Sequence, residues 1–185
     1  MSLRSKEKDY FDDADIPWIR TLDLNEGEVF GCSENITQEA LNSSSCSIMP
    51  VNTVCVAMYG GAGTIGKCGI LRIEATTNQA VCSIVCNKRI MPDYLLYHLI
   101  AIRKYWMYYA VGTRKDPNIS QDIVARMKIA LPAISEQQEI VDYLDERCSA
   151  IDTIIAKKEQ LLSELETYKK SLIYEYVTGK REVPA

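Results

Sequence analysis

The stretch from Ser135 to Gly179, SEQQEIVDYLDERCSAIDTIIAKKEQLLSELETYKKSLIYEYVTG, decides the architecture. Ser135 followed by Glu136, Gln137 and Gln138 reads as a good helix start. With no glycine or proline before Gly179, the pattern predicts about 43 helical residues, roughly 65 Å at 1.5 Å per residue. That length exceeds a compact domain. Ile151, Ile154, Leu161, Leu165, Tyr168 and Leu172 recur at spacings of three, seven, four, three and four, a heptad-like seam interrupted by Lys158. Ile155, Leu162, Ile173 and Tyr176 form a neighbouring stripe. A helix with such a seam has to bury it against another helix, so it predicts a partner; folding back on its own domain is the blander alternative.

Upstream of this helix the pattern changes. Residues 1–15 are polar and acidic and read as a flexible arm, with order expected from Ile16-Pro17-Trp18-Ile19 onward. To about residue 90, β-branched and aromatic residues come in short runs separated by Asn, Ser, Gly and Pro, which predicts strands joined by turns. Val54 to Tyr59, Cys68 to Ile73 and Ala80 to Val85 are the clearest strands. A helical turn is expected at Glu39 to Leu41, after Thr37. Pro92 opens a helix in which Leu95, Leu96, Leu99, Ile102, Arg103 and Trp106 share the three-and-four spacing, ending near Gly112. Thr113 to Ser120 reads as a loop, Ser120 as the N-cap of a short helix to Arg126, and Met127 to Leu131 as a brief strand stopped by Pro132. The expected fold is α+β: a mixed domain over 16–134 with a twisted, mainly antiparallel sheet, then a long coiled-coil-type helix and tail over 135–185.

Composition bounds the function. The chain has 185 residues, 47% hydrophobic and 25% charged, as expected for a globular domain plus an accessory element. No run is long and apolar enough to span a membrane, and the polar start Met1-Ser2-Leu3-Arg4-Ser5 does not read as a signal peptide, so a cytoplasmic protein is expected. Met1-Ser2-Leu3 also has the look of an expression leader on a fragment of something longer. The net charge of −4 argues against a general nucleic-acid binder, yet it is unevenly spread. From Glu136 onward there are eleven acidic and seven basic residues, while residues 1–135 hold fourteen of each.

Candidate chemistry is sparse. Tyr59-Gly60-Gly61-Ala62-Gly63-Thr64-Ile65-Gly66-Lys67 invites a phosphate-loop reading, but Cys68 follows Lys67 where a Ser or Thr hydroxyl belongs. These glycines fit a turn between strands whose backbone another molecule can approach, with Gly63 and Thr64 at the tip and Lys67 placed for a phosphate. Thr113, Arg114, Lys115, Asn118 and Ser120 form a second loop dense in groups that grip or read nucleic acid: Arg and Lys for guanine edges or phosphates, Asn for adenine, hydroxyls for either. Lys88-Arg89 and Arg103-Lys104 add basic pairs whose simplest reading is a solvated face. The seven cysteines, odd in number, sit mostly in apolar segments and read as small buried hydrophobes. Cys82, Cys86 and the lone His98 lack the paired spacings of a zinc site, so no metal is expected. His98 lies on a helix as a partly buried spacer, and no nuclease or methyltransferase motif stands elsewhere, so binding is preferred to catalysis.

The run Ile129-Ala130-Leu131-Pro132-Ala133-Ile134-Ser135-Glu136-Gln137-Gln138-Glu139-Ile140-Val141-Asp142-Tyr143-Leu144, then Ile151-Asp152, then Leu172 to Gly179, closely resembles the specificity subunits of type I restriction-modification systems. There a leucine-proline and glutamate-glutamine junction leaves the recognition domain, and a long helix ends in valine-threonine-glycine. Ile16-Pro17-Trp18, the Gly60 to Gly69 loop, Asn78-Gln79, Pro92-Asp93-Tyr94-Leu95 and Gly112-Thr113-Arg114 to Ile119-Ser120 agree more loosely.

The resemblance implies a non-catalytic target-recognition domain that reads one half of a split site in double-stranded DNA, and a helix that docks methylase subunits. Full-length members carry two recognition domains and two long antiparallel helices. This chain, with one of each, is expected to be a half-subunit that dimerises, or one half of such a subunit. The helix pairing is expected along Ile151, Ile154, Leu161, Leu165, Tyr168 and Leu172. Gly63, Thr64, Lys67, Lys88, Arg89, Thr113, Arg114, Lys115, Asn118 and Ser120 are the expected DNA contacts. The chain itself is expected to hold no cofactor; S-adenosylmethionine belongs to the methylase partner, and ATP and Mg to the restriction subunit. The alternatives are the recognition region of a type II or orphan methylase system, or a helical oligomerisation module that binds no DNA.

Overall fold

The computed structural model describes residues 10–60, 63–112 and 117–184; of Val111, Gly112 and Pro117 only the backbone is described. The chain forms two compact units, one up to Val141 and one from Asp142 onward. At the centre of the first is a four-stranded sheet in the order β2 (Glu28–Val29), β5 (Cys68–Leu71), β4 (Val54–Ala57), β7 (Val81–Ile84). β4 runs antiparallel to both neighbours, and β2 pairs parallel with β5. A second, three-stranded sheet is ordered β3 (Asn35–Ile36), β1 (Ile16–Ile19), β6 (Thr76–Thr77), with β1 antiparallel to β3 and parallel to β6. The result is the mixed α and β fold with mainly antiparallel pairing that the sequence predicts.

The apolar run Val54-Cys55-Val56-Ala57 is fully buried, because β4 is covered on both faces. Successive side chains of a strand point to opposite sides. Val54 and Val56 therefore enter one cluster with Ile70, Leu95, Leu96, Leu99 and Trp106, while Cys55 and Ala57 join Ile19, Leu24, Val29 and Leu71 in the other. The first cluster exists because α2 (Pro92–Ile102) lays Leu95, Leu96 and Leu99 on the sheet. Leu99 is fully buried, and burial of such a side chain is worth about 1.5 to 3 kcal/mol.

Several local expectations hold. Thr37 caps α1 (Gln38–Ser43), its hydroxyl accepting from the Ala40 amide, and Ser120 caps α4 (Gln121–Ala125), its hydroxyl accepting from the Ile123 amide. The helix begun at Pro92 does not run unbroken to Gly112: it tightens into a 3-10 turn at Arg103–Tyr105 and ends with the single turn α3 (Trp106–Tyr109). The stretch read wholly as a loop contains a two-stranded ladder, β8 (Val111–Gly112) against β9 (Pro117–Asn118). Met127 to Leu131 is not a strand. Its apolar side chains pack on the first cluster, and the Ala130 carbonyl accepts from the Tyr94 hydroxyl instead of a neighbouring strand. Tyr10 to Asp13, read as part of the arm, form a turn, and the Phe11 ring lies 5.8 Å from that of Trp18.

The last element is α5 (Ile134–Val177), 44 residues long. Along it Ile151, Ile154, Leu161, Leu165 and Tyr168 are 53–60% exposed, and Ile155, Leu162 and Ile173 are also exposed.

Candidate nucleic-acid interface

β4 delivers the chain to the site. Beyond Ala57, Tyr59 bridges to Asn118, and the Ile119 amide donates to the Met58 carbonyl at 2.8 Å. Ile119 is buried and pins the second loop there. The glycine-rich turn closes back on the same strand end. The Gly66 amide donates to the Ala57 carbonyl at 2.9 Å, and the Ala57 amide to the Lys67 carbonyl at 2.8 Å. Two loops some fifty positions apart in sequence therefore meet at one end of the sheet, carrying Gly63, Thr64, Lys67, Asn118 and Ser120.

The turn is braced from the 3-10 turn at Arg103–Tyr105 and from α3. The Arg103 guanidinium donates to the Gly63 carbonyl at 2.7 Å and pairs with Glu26. Arg103 is thus a positioning residue, not the solvated cation its sequence context suggests. Gly66 has φ +73°, and an added Cβ there would lie 2.3 Å from Trp106 Cδ1, so the ring packs where only glycine leaves room. Ser120 spends its oxygen on the cap of α4 and keeps its hydroxyl hydrogen to donate.

Lys88 and Arg89 are exposed but stand elsewhere. β7 is antiparallel to β4 with Val54 opposite Ile84, so the turn after Ile84 leaves the sheet at the end away from Tyr59. That turn is held by Gln137, which is fully buried. The Met91 amide donates to Gln137 Oε1 at 2.9 Å, while Nε2 donates to the carbonyls of Arg89 at 3.0 Å and Pro132 at 2.9 Å. Thr113, Arg114 and Lys115 lie outside the described residues.

Titratable groups near the core are tuned toward neutrality. Burial pushes the Cys55 and Cys68 thiols up to about 12, and raises those of Cys82 and Cys86. Such thiols are neither nucleophiles nor ready metal ligands at neutral pH. Cys32, Cys46, Cys86 and Cys148 are only partly buried, so the reading of buried hydrophobes holds for Cys55, Cys68 and Cys82. Burial lowers the pKa of His98. No group of three or more His, Cys, Asp and Glu among the described residues is placed to hold a metal, and no helix among them is long and apolar enough to cross a membrane.

Sequence reasoning passed over a groove of about 580 Å³ beside this site, lined by Tyr105, Trp106 and Tyr109 and by Arg126 and Lys128. Its signal was the aromatic run Tyr105-Trp106-Met107-Tyr108-Tyr109, of which only Trp106 is buried.

The family model for the type I restriction modification DNA specificity domain matches residues 2–167. The chain is 28% identical over 176 residues to the specificity subunit of the Escherichia coli type I restriction enzyme EcoR124I/EcoR124II, covering 93% of this chain and 42% of that protein. It is 29% identical over 161 residues to the MjaIX specificity subunit of Methanocaldococcus jannaschii, covering 84% and 35%. The chain thus spans less than half the length of these relatives. Among solved structures, one from work on assembly and conformational transition of a type I restriction-modification system superposes with TM-score 0.72 at 14% identity, over 89% of this chain and 39% of that one. The HsdS subunit from Thermoanaerobacter tengcongensis superposes with TM-score 0.61 at 13% identity, over 89% and 38%. At these identities the superpositions establish the shared fold.

Proposed function

Because the chain belongs to the type I restriction-modification DNA specificity domain family, we propose that it reads one half of a bipartite site in double-stranded DNA and docks methyltransferase subunits through α5, contributing no catalytic group. The observation that carries the DNA reading is the meeting of the Gly60 to Lys67 turn and the Asn118 to Ser120 segment at one sheet end. That end offers what recognition needs: backbone open to close approach, a lysine for phosphate, an amide suited to adenine, and a hydroxyl donor. Bracing by Arg103 and Trp106 holds the turn in place before DNA arrives, which lowers the entropy lost on binding.

Methyl transfer would belong to the partner, which would supply S-adenosylmethionine, and ATP and Mg would belong to the restriction subunit. The seam of exposed Ile151, Ile154, Leu161, Leu165 and Tyr168, with the half-buried Leu172, is the surface for helix pairing, with a second copy or with the other half of a longer subunit. The test is duplex binding by the complex reconstituted with its methyltransferase subunit. K67A/N118A should weaken binding about tenfold or more, since a phosphate or base contact is worth roughly 1 to 3 kcal/mol. Unchanged affinity in a folded variant sinks the assignment.

A further inference from the structure

The groove walled by Tyr105, Trp106 and Tyr109 continues the proposed DNA-binding end of the domain. Trp106 packs on Gly66 of the glycine-rich turn, and Tyr109 lies two residues before β8 of the second loop. The opposite wall follows from Ser120, which caps α4 and so starts the segment that carries Arg126 and Lys128.

Its chemistry is that of a surface awaiting an anion. Arg126 and Lys128 are exposed, and among the described residues no carboxylate lines the groove. Lys104 stands outside it with its ammonium 5.1 Å from the centroid of the Tyr105 ring, and Tyr105 stacks with Tyr108 at 6.3 Å. Tyr105 is 48% and Tyr109 62% exposed, a large aromatic area to leave in water. A tyrosine joins an apolar ring to a polar tip, which suits a sugar-phosphate edge as well as a protein interface. The cations, the lack of lining acids and the continuity with the two loops favour nucleic acid.

We propose that this groove is a second contact with duplex DNA, in which Arg126 and Lys128 neutralise backbone phosphates while Tyr105 and Tyr109 lie against the adjoining sugars, beside the bases that the loops read. The proposal rests on the reading that the two loops bind DNA. Contacts of this kind set position and affinity, not sequence, so their signature is salt dependence.

The experiment measures binding of a fluorescein-labelled mixed-sequence duplex to the complex with the methyltransferase subunit, over a salt series. For R126Q/K128Q the plot of log affinity against log salt should become shallower by about 1.8, equivalent to roughly a sixty-fold loss at 0.1 M relative to 1 M salt, from the usual 0.9 per phosphate contact. R126K/K128R should keep the slope, and Y109A should weaken binding without changing it. An unchanged urea-unfolding midpoint controls for folding. An unaltered slope in R126Q/K128Q, with K67A/N118A still weakening binding, overturns the groove and leaves the loop reading intact. If neither variant affects DNA, both readings fail. Loss of methyltransferase assembly with DNA contacts unchanged assigns the groove to a protein partner and also overturns the proposal.

Discussion

Removing the Gln137 amide should unfold the first unit well before it damages the rest of α5. The side chain is fully buried, and it satisfies the Met91 amide and the Arg89 and Pro132 carbonyls through three bonds of 2.9–3.0 Å. Q137M keeps the length and volume and deletes all three partners at once. Each buried group left without a partner costs about 1 to 3 kcal/mol, and the two carbonyls keep a second lone pair free to find other donors, so the loss should fall near 3 to 5 kcal/mol. That is a large part of the roughly 5 to 15 kcal/mol that holds a domain together. Q137E separates hydrogen bonding from shape. Its carboxylate still accepts from Met91, but its second oxygen faces two carbonyl oxygens. The folded state then favours the protonated acid, raising its pKa above the usual 4.3 or so. Stability is therefore retained below that value and lost as pH rises through the raised one, so Q137E should approach the wild type in mild acid and fall to or below Q137M at pH 8. Urea unfolding followed by tryptophan emission reads this directly, because both Trp18 and Trp106, the latter 3% exposed in the core, belong to the same unit. A midpoint shift of about 1 to 3 M is expected. A Q137M variant within about 1 kcal/mol of wild type, less than the loss of a single partner, would refute the reasoning.

Three other outcomes follow from the structure. G66A places a side chain at φ +73° and 2.3 Å from Trp106, so it should cost about 3 kcal/mol, from left-handed backbone and overpacking together, and shift the Trp106 emission. On the alkaline side, Cys55 and Cys68, with pKa values raised from 9.0 to about 12, contribute stability that is complete below pH 9 and disappears as pH rises toward 12. Each should add up to about 1.4 kcal/mol per pH unit to the slope, and C55A should remove its share; equal alkaline slopes in C55A and wild type count against the assignment. L161D/L165D should abolish self-association or methyltransferase binding, checked by solution mass alone and mixed with the partner. Wild-type assembly in that variant rejects the seam.

What the sequence disclosed was whatever local spacing encodes. The strands around Val54, Cys68 and Val81 were legible from β-branched runs bounded by turn residues, and α5 from an uninterrupted apolar period. The junction from Ile129 to Leu144 carried the family resemblance. What local pattern does not encode is which side chain a distant element takes up. Arg103 reads as a surface cation until Glu26 and Gly63 are found beside it, and Gln137 as one of several polar residues at a helix start until it is found buried among three backbone groups. Met127 to Leu131 misled because apolar residues packing on a core as irregular chain look the same in sequence as a short strand. The DNA set was likewise chosen by residue type, whereas the antiparallel register of β7 on β4 sends Lys88 and Arg89 away from Lys67 and Asn118.

The charge distribution lets an acidic chain present a locally basic face. Three arginines are taken up internally: Arg20 with Glu34, Arg72 with Glu28 and Asp93, and Arg103 with Glu26. The three cations and four carboxylates of these pairings sum to −1, so together they contribute little to the field outside. Within the described part of the first unit, Lys67 on the glycine-rich turn and Arg126 and Lys128 in the tyrosine groove then weigh more than its balanced total suggests. The excess of acids falls from Glu136 onward, largely in the second unit. Exposed charges act over about 8 Å at physiological ionic strength, so a net charge summed over the whole chain is a poor guide to what a phosphate meets at one sheet end. Raising the salt should accordingly weaken DNA binding while leaving pairing along Ile151 to Leu172 intact, because burial of apolar surface, unlike phosphate neutralisation, does not depend on counterion release.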